Sequence, residues 1–125
     1  MRVLIADDEK NVANMLATVV SSYGHEVVDV VGSGLEAIRS FTHFKPDLVL
    51  MDFLMSRFNG ITASRMILSH YPMARIVILS GHLNLDDLPA MNCGAVASLA
   101  KPFSIERLKS LLDSFEMGAA DGLPS

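Results

Sequence analysis

Short runs of consecutive apolar residues alternate along this chain with longer stretches in which apolar positions recur at helical spacing. The runs fall at Val3 to Ala6, Glu26 to Val31, Asp47 to Met51, Arg75 to Leu79 and Val96 to Ala100. Their lengths are those of strands, and near-continuous hydrophobicity is what a strand needs when both faces of its sheet are covered. From about Asn11 to Tyr23 the residues Val12, Leu16, Val19, Val20 and Tyr23 share a helical face, and Gly24 supplies a stop signal. A second predicted helix runs from an N-cap at Ser33 through Leu35, Ile38 and Phe41, and Lys45-Pro46 ends it. A third begins near Asn59-Gly60, carries Ile61, Ile67 and Leu68, and closes at Tyr71-Pro72. The last, about Ser104 to Glu116 with Ser104 as N-cap, is expected to bury Ile105, Leu108, Leu111, Leu112 and Phe115. Between Ser80 and Gly94 the signal for a helix is weakest. Pro89 is compatible only with a first turn, which leaves one or two turns at most.

Alternation of this kind predicts an α/β fold, a doubly wound three-layer sandwich around a five-stranded parallel sheet. With 125 residues there is room for one such core. One domain is expected over residues 1–117. Residues 118–125, with Gly118, Gly122 and Pro124, read as a flexible tail or the start of a linker. A net charge of −4 gives no reason to expect nucleic-acid contact by this domain. No apolar run approaches the ~20 residues of a membrane span and no secretory signal opens the chain, so a cytoplasmic protein without membrane contact is expected. The single Cys93 has no partner for a disulfide and reads as an inert thiol. His25, His43 and His70 read as surface residues, and the eight methionines as mostly core filling.

In an open parallel sheet the functional crevice lies at the carboxyl ends of the strands. Here those positions hold Asp7-Asp8, Asp52, Ser80 and Lys101-Pro102, at the ends of four different runs. Taken alone, an acidic pair after a strand is commonly a helix cap, and Lys-Pro is a common loop dipeptide. Together they bring three carboxylates, a hydroxyl and an ammonium to one spot. Carboxylates that close repel each other unless a hard divalent cation and a fixed positive side chain compensate them. Magnesium, which prefers oxygen ligands and keeps some of its waters, suits such a set.

At these residues the chain resembles the response-regulator receiver domains of two-component signalling, including the chemotaxis regulators. The matching text is Val3-Leu4-Ile5-Ala6-Asp7-Asp8-Glu9, Pro46-Asp47-Leu48-Val49-Leu50-Met51-Asp52, Ile76 to Ser80, and Gly94-Ala95 with Lys101-Pro102-Phe103. The resemblance implies a flavodoxin-like sheet in the order 2-1-3-4-5 and a cis Lys101-Pro102 peptide. It makes Asp52 the phosphoacceptor. Asp7, Asp8, Asp52 and the backbone carbonyl of Leu54 become the ligands of Mg2+, or of another divalent cation such as Mn2+. Ser80 and Lys101 become the groups that bind the phosphoryl oxygens. The implied donor is a phosphohistidine of a histidine kinase or histidine phosphotransfer protein, and the implied readers are a downstream protein or effector domain. Chemistry is then confined to self-catalysed phosphorylation and dephosphorylation of one aspartate by a monomer or weak homodimer.

Three departures from the family pattern bear on output. Ser98 stands where an aromatic is usual, so the usual ring that swings on activation is missing. The fourth helix region is shortened and carries Pro89. Ser56 replaces a customary proline in the loop after Asp52, which predicts a more mobile loop. His82, two residues beyond Ser80, is a candidate for placing a hydrolytic water, against the plainer reading of an exposed loop histidine. Two other functions compete. One is a pseudo-receiver acting as a phosphorylation-independent interaction module, against which the intact Asp8, Asp52, Ser80 and Lys101 set argues. The other is a flavin-binding electron carrier, disfavoured because the loop after the first strand is acidic where a phosphate cradle needs glycines or hydroxyls.

Overall fold

The computed structural model describes residues 1–55, 57–81 and 94–121, with side chains through Glu116 in the last helix. Five strands, β1 (Arg2–Ala6), β2 (Glu26–Val31), β3 (Leu48–Asp52), β4 (Ile76–Ser80) and β5 (Ala97–Ala100), form one sheet. All neighbouring pairs are parallel, and the order is β2-β1-β3-β4-β5. The helices are α1 (Lys10–Ser22), α2 (Gly34–Phe44), α3 (Gly60–His70) and α4 (Ile105–Asp121). The short helix expected before Gly94 falls in residues 82–93, outside the described residues; His82, Pro89, Cys93 and, in the loop after β3, Ser56 with the mobility expected of it also lie outside them.

Successive strand residues point to opposite faces, and the two cores follow that parity. Leu4, Ala6, Val49, Met51, Ile76 and Ile78 pack with Ala37 and Phe41 of α2 and with Ile61 and Ile67 of α3. Val3, Ile5, Leu48, Leu50, Val77, Leu79 and Leu99 pack with Leu16, Val19 and Val20 of α1 and with Leu108 and Leu112 of α4. Every residue of β3 and β4 is buried. Their continuous hydrophobicity is therefore the consequence of helices on both sides.

Local signals fix the starts of α2, α3 and α4. Ser33 Oγ accepts from the Glu36 amide at 3.1 Å, Asn59 Oδ1 from Thr62 at 2.9 Å, and Ser104 Oγ from Arg107 at 3.1 Å. Each meets a donor that the first turn leaves unpaired. α2 stops at Lys45, which takes a left-handed conformation with φ 45° one residue before Pro46. At its other end, α4 continues past Glu116 to Asp121. A single Gly118 costs a helix only about 1 kcal/mol relative to alanine, and the two alanines that follow it favour helix.

Several side chains depart from expectation. Ile105, in the first turn of α4, is half exposed. Met15, Met66 and Met73 are exposed, Met73 at 91%, and only Met51 and Met55 are buried methionines among the described residues. His25 is buried rather than superficial. Its Nδ1 lies 3.0 Å from the Met1 amino group and 3.5 Å from Glu116 Oε2, so polar partners compensate its burial. His43 and His70 are exposed as expected.

The segment after Asp52 is held at two places. The Gly60 amide donates to the Phe53 carbonyl at 2.8 Å, and the Leu35 amide at the start of α2 donates to the Arg57 carbonyl at 2.9 Å. A Cβ on Gly34 would overlap the carbonyl of Phe58, and one on Gly60 would overlap the carbonyl of Asp52. Arg57 and Phe58 both adopt left-handed backbone, with φ 51° and 68°. The loop therefore reaches its position through strained residues and two glycines that admit its backbone. Gly34→Ala is expected to lower stability by about 3 kcal/mol, the scale of a severe overpacking. Urea unfolding checks this, and a loss under about 0.5 kcal/mol, the range of an ordinary surface substitution, would show that the loop yields freely.

Candidate functional site

Three strand ends build the floor of a single cleft. Asp7 and Asp52 continue the parity of Val3, Ile5, Leu48 and Leu50, so both carboxylates leave the sheet on the α1 side. Lys101 stands in the same phase as Leu99 one residue beyond β5. Lys101 Nζ donates to Asp7 Oδ2 and to Asp52 Oδ1, at 3.1 Å in each case. Asp7 Oδ1 accepts from the Glu9 amide at 2.9 Å, which fixes its rotamer. Asp7 and Asp52 are 3% and 5% exposed, whereas Asp8 is exposed. One carboxylate oxygen from each of Asp7, Asp8 and Asp52 falls within 4.8 Å of the others.

Ser80 is buried at the end of β4, and its carbonyl accepts from the Lys101 amide at 2.9 Å. Ser80, Leu54 and Gly81 line the same cleft as Asp8, Asp52 and Lys101. The Lys101-Pro102 peptide is cis. Ser98 sits elsewhere: half-buried in β5 opposite Ile78, it lines a shallow groove with Glu106, Arg107 and Ser110 of α4. Sequence reasoning thus named the polar floor, and missed the wall. Val12, Met15, Pro102 and Phe103 also line the cleft. The signal that would have found Val12 and Met15 is their spacing on the first turns of α1, directly after the acidic pair.

Burial drives the Asp52 carboxyl up from the ordinary 3.8 to about 6. The Lys101 hydrogen bond opposes that rise, and the neighbouring Asp7 and Asp8 charges add to it. Burial pulls Lys101 the other way, but the hydrogen bonds and negative charges of Asp52 and Asp7 together outweigh it, and the ammonium is held above its usual range. One lysine thus does not fully compensate the acidic cluster. Three carboxylates against one ammonium leave two negative charges among oxygen donors uncompensated, which is the charge a hard divalent cation supplies. The donor set fits such an ion.

The raised carboxyl has a consequence for stability. Because the native pKa lies above the unfolded value, the native state binds this proton more tightly. The associated stability is fully present below about pH 4 and is lost as pH rises through about 6. In the absence of metal, Asp52→Asn is expected to be more stable than the parent by about 1 kcal/mol near neutral pH, less than full linkage because the cleft is open to solvent. Near pH 4 the gain should vanish. Urea titrations at the two pH values decide it, and an equal gain at both would contradict the assigned cause.

The sequence profile of the response regulator receiver domain matches residues 3–113. Over 108 residues the chain is 43% identical to the transcriptional regulatory protein PdtaR of Mycobacterium tuberculosis, covering 86% of this chain but 52% of that protein. The chain therefore spans about half the length of that relative. It is 34% identical to the chemotaxis protein CheY of Thermotoga maritima, covering 90% of this chain and 94% of CheY. Among solved structures, a LuxR-family two-component response regulator from Aurantimonas superposes with a TM-score of 0.85 at 27% identity, over 94% of this chain and 85% of that one. The five-stranded order, the convergent acidic pocket and these likenesses agree, and the chain belongs to the response regulator receiver domains, the phosphoacceptor modules of two-component signalling.

Proposed function

We propose that Asp52 is the residue phosphorylated, and that Asp7, Asp8, Asp52 and the Leu54 carbonyl hold Mg2+, or Mn2+ in its place. The observation that carries this reading is the buried Asp52 carboxylate, with an ammonium at 3.1 Å and two more carboxylates converging on it. A carboxylate repels an incoming phosphoryl group of like charge, so catalysis consists of positioning and charge neutralisation. A divalent ion bound here supplies part of that neutralisation by drawing charge from the phosphoryl oxygens. Lys101 supplies the rest from a position already fixed by two carboxylates. The Ser80 hydroxyl donates to a phosphoryl oxygen, and Asp7 keeps Lys101 from collapsing fully onto the nucleophile.

The donor is a phosphohistidine on a histidine kinase or phosphotransfer protein, and a downstream protein or effector domain reads the result. Aspartyl phosphate is labile, so the mark is temporary. Ser98 leaves β5 without a ring to swing, and output passes mainly through backbone near the cleft. Among the described residues no helix is long and apolar enough to cross a membrane, and the domain works as a monomer or weak homodimer. Mixing the protein with a phosphotransfer domain that carries radiolabelled phosphohistidine is expected to move label to this chain when Mg2+ is present. Transfer that is equally fast in EDTA would count against the metal assignment.

A further inference from the structure

The cleft above Asp52 is larger and more apolar than phosphoryl transfer to a carboxylate requires. Its volume is about 620 Å³, and Val12, Met15, Leu54, Pro102 and Phe103 line it beside the charged groups. A phosphoryl group with the waters of a bound ion takes up on the order of five water volumes of ~30 Å³ each. Most of the cleft is left over, enough for a small organic group. Val12 and Phe103 are partly buried and pack against the core beneath α1, so that part of the wall is fixed. Met15 and Leu54 are exposed at 38% and 47%, against 5% for Asp52. The apolar residues therefore form the mouth and the carboxylate the floor.

In-line displacement places the leaving group on the far side of phosphorus from the attacking oxygen. With attack from the floor, the leaving group points to the mouth, among apolar side chains. We infer that this site accepts phosphoryl groups from acyl phosphates with an apolar acyl chain in preference to acetyl phosphate, and that Val12, Met15 and Phe103 form the acyl subsite. The inference rests on Asp52 being the phosphoacceptor. An Asp52 carboxylate oxygen bonds to phosphorus while the bond from phosphorus to the acyl oxygen breaks, and the electron pair departs on the released carboxylate. No proton, oxidant or reductant is needed. One mixed anhydride replaces another, so the chemical driving force is nearly equal for short and long acyl donors. Any difference in rate between them reports contact with the chain.

The test measures kcat/KM for labelling by acetyl phosphate, butyryl phosphate and phosphoramidate, with Mg2+ throughout. Each buried methylene is worth about fourfold, so the two extra methylenes of butyryl phosphate, partly buried in an open cleft, should give a preference of about tenfold over acetyl phosphate. Met15→Ser and Val12→Ser should each shrink the butyryl-to-acetyl ratio severalfold, and the butyryl-to-phosphoramidate ratio with it. Taking ratios cancels a general loss of activity or of folded protein. Equal kcat/KM for the two acyl donors overturns the inference while leaving the phosphoacceptor assignment intact, and so does a preference unchanged in both variants. Failure of every donor to label Asp52 overturns the assignment itself.

Discussion

Replacing Asp52 with asparagine is expected to reduce labelling by a small phosphodonor more than about 100-fold, because a neutral carboxamide oxygen is a far weaker nucleophile than a carboxylate. The fold should survive the change. Asparagine keeps an oxygen able to accept from Lys101, and the substitution removes one charge from a crowded acidic cluster. Label and stability should therefore move apart: phosphorylation is lost while the unfolding transition stays cooperative and, without metal, shifts upward near neutral pH. Intact mass after treatment with phosphoramidate, read beside thermal melts, measures both. Labelling that persists in Asp52→Asn would move the nucleophile elsewhere.

Magnesium is expected to stabilise the protein, since the three carboxylates converge only in the native state and the unfolded chain offers no such site. At a concentration about one hundred times the dissociation constant the gain is ~2.7 kcal/mol, or a rise in Tm of roughly 10 °C for a domain of this size. Asp8→Ala should remove most of that gain. Asp8 is exposed, so its truncation costs the metal-free fold little and the comparison stays clean. Melts of both proteins with and without Mg2+ decide the matter. A metal response of equal size in the variant would remove Asp8 from the ligand set.

The sheet and its helices were legible because burial on both faces writes itself as unbroken apolar runs. Asp47 to Met51 and Arg75 to Leu79 located β3 and β4 to within a residue. The N-caps at Ser33 and Ser104 were legible because capping is a local interaction between a side chain and an amide two or three residues away. Strand order was not written in local pattern and came only with the family resemblance. What sequence reasoning could not reach were interactions between residues distant along the chain. Gly34 admits the Phe58 carbonyl, a contact between α2 and the loop after β3 that no periodicity announces. His25 looked like a surface residue after a turn, but the strand start tucks it under the amino terminus and α4. Ile105 fitted the apolar stripe of α4 and yet is half exposed, since a stripe does not say how much of a helix its neighbours cover. The polar floor was different in kind. Its residues follow strand ends, where topology alone brings distant positions together, and the shared parity of Asp7, Asp52 and Lys101 says that their side chains leave on one side.

Chemical mapping of the phosphoryl group identifies the phosphorylated residue directly. Borohydride reduces an aspartyl phosphate to homoserine, so the protein can be phosphorylated by phosphoramidate with Mg2+, reduced, digested and sequenced by mass spectrometry. Homoserine is expected at position 52 and at no other aspartate, with the signal absent when EDTA replaces Mg2+. Homoserine at Asp7 or Asp8, or a stable phosphoryl adduct on a histidine or serine with position 52 unchanged, would contradict it.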